Sequence, residues 1–177
     1  MAKKKKKAKK LSQATKDIAK CYNEILTGTI LCIDPSSGSA SSMPGYAIYK
    51  ESKLVDSGIL EVETVSKEIP VRLKEIGDML RDGFDDYDVL VIEFISPVHG
   101  GGGMRQAFFQ AKFHASLLKS VGCVLGTVNR KHTVQIHPRT WQKYRDEYYE
   151  KSDHKDAEYM GICAIAMAKE MKEKEDK

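Results

Sequence analysis

No apolar run in the chain approaches the ~18 residues that a membrane-spanning helix needs, so no membrane partner is expected. The first residues lack the apolar stretch of a signal peptide, which points to a cytoplasmic setting, bacterial or in a phage-infected host cell. Cysteine is scarce and scattered. Cys21, Cys32, Cys123 and Cys163 include no C-x-x-C pair, and no histidine stands at zinc-finger distance from them. A structural zinc site and a disulfide scaffold are thereby excluded, and a reducing compartment is expected. The four glycines at 100–103 are not followed by G-K-[ST], which argues against a nucleotide P-loop and leaves a hinge-like connector.

What is present is an ordinary globular composition. The chain has 177 residues, 41% hydrophobic and 31% charged, enough for one domain with a full core. The net charge of +4 conceals an asymmetry, because residues 1–10 (MAKKKKKAKK) hold seven lysines and no acid. Without them, 22 basic residues face 25 acidic ones. The lysine run buries nothing and repels itself, so a disordered tail is expected there. Any nucleic-acid surface on the body must come from local clustering of basic residues.

A helix is predicted over residues 12–26, with Ile18, Cys21, Tyr22 and Ile25 on one stripe, closed by Gly28. Strands are predicted over 29–34, 46–50, 53–62, 89–93 and 133–137, the second and third forming a hairpin that turns at or close to Glu51-Ser52-Lys53. The composition of 35–44 (PSSGSASSMP) is that of a loop. Helical periodicity marks 69–80 and 104–120, a short basic helix follows Pro138 over 139–149, and a final helix runs from Asp153 through Ala168 with Ile162, Ile165 and Ala166 inward. Residues 171–177 are charged and expected to fray. Strands alternating with helices indicate an α/β sheet covered on both faces, which binds ligands beyond the carboxyl ends of its strands.

Four acids stand at such positions. Asp34 ends the apolar run GTILCID, and Glu93 ends DVLVIE. Asp153 and Asp156 open DHKDAEYMGICAIAMA at a spacing that shares one helix face. Two carboxylates about 4 Å apart repel by roughly 4 kcal/mol at an effective dielectric of about 20. A fold that gathers four therefore implies divalent metal, and the metal implies phosphate chemistry.

The ordered set D-P-S-S-G-S at Asp34, V-I-E at Glu93 and D-H-K-D-A at Asp153 and Asp156 resembles the RuvC family of Holliday junction resolvases over about residues 28–168. The stretch IHPRTWQKY at 136–144 is similar to the strand, proline and basic helix that these resolvases carry after their long helix. The resemblance implies a ribonuclease H-like fold, with a central mixed five-stranded sheet and helices on both faces, over residues 28–170. It also extends the long helix from Met104 to about Asn129. Asp34, Glu93, Asp153 and Asp156 would be the catalytic residues and would hold two Mg2+ ions, with Mn2+ substituting. Family members are homodimers that nick four-way DNA junctions in symmetric pairs, leaving 5′-phosphate and 3′-hydroxyl ends.

Departures accompany the likeness, among them the lysine tail at residues 1–10, which has no counterpart in the family. Ser96 stands where the bacterial enzymes present an aromatic wedge, and the segment between Trp141 and Asp153 is shorter than theirs. A compact, tailed chain of this kind suggests a phage or organellar relative. Arg105, Lys131, Arg139, Lys143 and Lys155 are the candidate phosphate contacts, Arg139 and Lys143 foremost because Pro138 sets them near the sheet's carboxyl edge. Phe108, Phe109, Phe113 and Leu117 on the long helix point to a homodimer. Competing readings are another ribonuclease H-like nuclease acting on RNA–DNA hybrids, and a non-catalytic nucleic-acid-binding protein whose acids serve as helix caps.

Overall fold

β1, Thr29–Asp34, is buried from Ile30 to its end, as a continuous apolar run demands of a strand covered on both faces. The computed structural model describes residues 11–34, 44–61, 87–93, 132–146 and 153–177. Within them lie a helix pair, α1 (Gln13–Ile18) and α2 (Tyr22–Thr27), and the strands β1, β2 (Gly45–Lys50), β3 (Lys53–Ile59), β4 (Val89–Glu93) and β5 (His132–Ile136). A short helix α3 (Pro138–Trp141), a 3-10 turn (Gln142–Tyr144) and the long helix α4 (Asp153–Glu175) complete the order. The predicted helices at 69–80 and 104–129, the loop at 35–43, the tail, and Arg105 and Lys131 lie outside the described residues.

The strands form one mixed five-stranded sheet in the order β3-β2-β1-β4-β5. β1 runs antiparallel to β2 and parallel to β4, and β4 runs parallel to β5. Side chains alternate between the faces of a strand. Ile30 and Cys32 of β1, Ala47 and Tyr49 of β2, Val89 and Val91 of β4, and Val134 and Ile136 of β5 therefore share one face, where they join a single buried cluster with α1, α2, α3 and α4. Leu31, Ile33, Leu90 and Ile92 point the other way and are equally buried.

α4 lies across the first face, combining close approach at its small residues with burial of Met160 and Ile165. Its buried line includes Ala157, Gly161, Ala164 and Ala168. At Gly161 an added Cβ would stand 2.7 Å from Cδ2 and 2.8 Å from Cζ of Tyr49, so only glycine fits against that ring. The Tyr49 hydroxyl donates to the Glu158 carbonyl across 2.7 Å. Ile162, expected inward, is 41% exposed, because the buried stripe of the helix runs through Ala157, Met160, Ala164 and Ala168 and position 162 lies off it. α4 also persists through Glu175 where fraying was expected. Met171 packs on the core, and the Tyr22 hydroxyl of α2 donates to Glu175. No helix among the described residues is long and apolar enough to cross a membrane.

The N-terminal helix breaks in two. Ser12 caps α1, its Oγ accepting from the Thr15 amide at 3.1 Å. The chain then tightens through Lys20 N–H to Asp17 O and Cys21 N–H to Ile18 O, and Cys21 leaves helical geometry at φ −147°. Asp17, buried on α1, accepts from Gln13 Nε2 at 2.7 Å and from the backbone amide of Gln135 at 3.4 Å. One helix carboxylate thus meets a backbone donor of the edge strand β5.

The hairpin between β2 and β3 turns on Glu51 and Ser52, both at positive φ (50° and 65°), the handedness that suits a two-residue β-turn. The β2–β3 register shifts after Ile48, which pairs with Asp56 while Tyr49 pairs with Leu54. Val55 is left as the bulged residue, and β3 ends at Ile59 rather than 62. The basic helix after Pro138 is likewise shorter than predicted. It gives way to the 3-10 turn and ends at Arg145, whose backbone is extended (φ −62°, ψ 131°).

Candidate active site

Parity and register bring the first two acids together. Asp34 follows Ile30 and Cys32 on the α4 face of β1, and Glu93 follows Val89 and Val91 on the same face of β4. Ile33 pairs with Ile92 in the parallel ladder, so the next residues, Asp34 and Glu93, end adjacent strands side by side. Both stand at carboxyl ends, where a parallel sheet offers its ligand crevice.

α4 begins at this same end of the sheet. Asp153 is its first residue and Asp156 lies in its first turn, where the helix macrodipole favours negative charge. The side chain of Asp153 falls outside the described residues. Asp156 has 13% of its side chain exposed and pairs with Arg145, whose Nη2 donates to Oδ1 at 3.1 Å.

Asp34 is 5% exposed. Burial pushes the Glu93 carboxyl up to about 8, and the negative charges of Asp34 and Asp156 push in the same direction. A hydrogen bond from Trp141 and the positive charge of Arg145 oppose that rise. Acids from β1 and α4 therefore both act through space on the Glu93 carboxyl of β4. Arrangements that penalise their own anions favour a divalent cation, and in this sense the donor set fits one. Among the described residues no three His, Cys, Asp or Glu side chains are grouped tightly enough to ligate an ion together.

Two further residues of the site carried no assignment in the sequence. Trp141, fully buried at the end of α3, donates its indole N–H to Glu93 Oε1 across 3.2 Å. Arg145 lays its guanidinium over the Trp141 ring, 4.6 Å from the centroid. Trp141 lies within the IHPRTWQKY stretch, so its placement beside the site follows from the turn at Pro138. Nothing local signals Arg145, because its pairing with Asp156 follows the end of helical geometry at Arg145, where a helix through 149 is predicted.

The basic candidates are placed less uniformly. Arg139 and Lys143 are exposed on α3 and the 3-10 turn, beyond the carboxyl end of β5. Lys155 is drawn into an ion pair with Glu158 at 2.9 Å, and Glu158 also accepts from Ser57 at 2.7 Å.

No protein-family model matches the chain, and no curated protein matches it significantly. Solved structures do. RuvC of T. thermophilus in complex with Holliday junction substrate superposes with a TM-score of 0.56 at 11% identity, over 81% of this chain and 95% of that one. A second Thermus thermophilus RuvC structure gives 0.51 at 9% identity, covering 81% of this chain and 96% of the other. The yeast mitochondrial Holliday junction resolvase Ydc2 gives 0.56 at 11%, over 91% and 93% of the two chains. The resemblance read in the sequence is thus present in three dimensions, and the chain has the ribonuclease H-like fold of the RuvC-type resolvases.

Proposed function

We propose that this chain is a divalent-metal-dependent endonuclease that cuts branched DNA, the four-way Holliday junction foremost. The observation that carries the reading is the meeting of Asp34, Glu93 and Asp156 at one end of the sheet, from three elements far apart in sequence. The fold supports it, since the solved structures that resemble it include a resolvase bound to a Holliday junction and a mitochondrial resolvase.

Asp34, Glu93, Asp153 and Asp156 would hold the Mg2+ or Mn2+. Such ions supply a water of lowered pKa and stabilise a departing 3′ oxygen, leaving 5′-phosphate and 3′-hydroxyl ends. The chain's own residues prepare the site. Asp34, nearly buried at a strand end, contributes a carboxylate that the sheet holds in place. Glu93 would have to lose its proton to solvent to serve as a ligand, and the Trp141 indole N–H, which donates to its Oε1, would orient the carboxylate. Exposed Arg139 and Lys143, beyond the carboxyl end of β5, would contact phosphates, and the lysine-rich residues 1–10 would add attraction that is insensitive to DNA structure. Paired symmetric nicks require two such sites, hence a homodimer.

The deciding experiment incubates the protein with a labelled four-way junction, a linear duplex and an RNA–DNA hybrid, in Mg2+, Mn2+ or chelator. Paired nicks in the junction alone, dependent on the cation, are expected. Asp34→Asn should lose cleavage and keep or tighten junction binding, because removing its charge weakens cation binding while relieving repulsion with phosphate. Preferential cutting of the hybrid would move the reading to another ribonuclease H-like nuclease. Junction binding without cleavage under every condition would make the chain a non-catalytic binder.

A further inference from the structure

Among the described residues, Arg145 is the guanidinium that holds an acid of the site. Its Nη2 donates to Asp156 Oδ1 at 3.1 Å, and its plane rests on Trp141, whose N–H in turn holds Glu93. With 27% of its side chain exposed, the group is partly withdrawn from water, and an arginine does not shed its charge. Lys155, on the first turn of α4, is engaged by Glu158. A metal ion ligated by Asp156 Oδ1 would meet a positive group already donating to that oxygen.

We propose that Arg145 is a resident counter-ion of the site, a competitor that a divalent cation must displace from Asp156. The inference rests on the reading of Asp156 as a metal ligand. Arg145 keeps Asp156 neutralised and lowers the site's affinity for the cation. Stacking on Trp141 holds the displaced guanidinium beside the site instead of releasing it to solvent.

The test is calorimetric titration of the full chain with Mn2+, which needs no cleavage. Arg145→Gln is expected to bind Mn2+ about 10-fold more tightly than the natural protein, the size of one charge-assisted hydrogen bond. Asp156→Asn should weaken Mn2+ binding and erase the gain from Arg145→Gln when the two are combined. Arg145→Lys keeps the charge and should stay close to the natural affinity. Equal or weaker Mn2+ binding by a cooperatively melting Arg145→Gln would overturn the proposal. So would an Arg145→Lys as tight as Arg145→Gln, because charge would then not be the cause. If the natural protein binds no Mn2+ in a manner sensitive to Asp156→Asn, the proposal and the metal-site reading fall together. Tighter binding by Arg145→Gln without any junction cleavage would leave the proposal standing and remove only the nuclease reading.

Discussion

The indole N–H of Trp141 donates to Oε1 of Glu93, so a residue of the core directs an acid of the candidate site. Groups that orient metal ligands typically change affinity or activity by about 10- to 100-fold when lost. Trp141→Phe keeps an aromatic face for Arg145 and removes only the donor and some volume. The Mn2+ concentration for half-maximal junction cutting should rise by about 10-fold, within that range. Cleavage should recover at high Mn2+. An unchanged Mn2+ dependence would show that the indole bond does not hold Glu93 for the cation.

Gly161→Ala sets two effects against each other. Helix propensity alone predicts a gain of roughly 1 kcal/mol. The new methyl would sit 2.7–2.8 Å from ring carbons of Tyr49, a side chain only 4% exposed and tied by its hydroxyl to Glu158. Overpacking of that kind costs about 1–3 kcal/mol, and the ring has nowhere to swing. Urea unfolding should show net destabilisation.

β1 and β4 were legible because a continuous apolar run is compatible with few structures other than a doubly covered strand, and Asp34 and Glu93 then follow from parity. The hairpin was legible from its spacing, although its bulge was not. Hydrophobicity alone puts Ile162 inward on α4, but the buried stripe runs through Ala157, Met160, Ala164 and Ala168, with glycine where the helix meets Tyr49. At Glu175, the last residue of α4, the hydroxyl of Tyr22 donates from some 150 residues earlier, and no local pattern reports such a contact. Arg145 escaped for a related reason. Its place beside Asp156 depends on where the basic helix stops, and Asp156 itself belongs to another element.

Glu51 stands at φ 50°, in the left-handed region that disfavours most residues by roughly 1–2 kcal/mol. Asparagine tolerates that region, and the Glu51 amide, which donates to the Gly28 carbonyl at 3.0 Å, is unaffected by the side chain. Glu51→Asn should stabilise the protein by about 0.5–1 kcal/mol, read as a higher melting temperature. Ser52 is best left in place, since its hydroxyl donates to the Leu26 carbonyl at 3.2 Å. A lowered melting temperature would mean that the Glu51 side chain makes a contribution greater than its backbone cost.

Glu93 titrates at about 8 in the folded protein, against an ordinary value of 4.5. Between those values the folded chain holds a proton that the unfolded chain has released. Stability therefore falls as pH rises through this window, and the loss is complete above about 8. One unit corresponds to about 1.4 kcal/mol, so the total amounts to roughly a few kcal/mol. Glu93→Gln keeps the shape and an acceptor for the Trp141 indole but carries no charge. In chelator, the melting temperature of the natural protein should decline from about pH 5 to about pH 9 more steeply than that of Glu93→Gln, with the variant the more stable at the upper end. Saturating Mn2+ should recover the natural protein most strongly near pH 8, because a cation binds the deprotonated carboxylate and supplies the charge that burial withholds. Parallel curves for the two proteins would assign the pH dependence to another group and leave Glu93 without the strain on which its role as a ligand is argued.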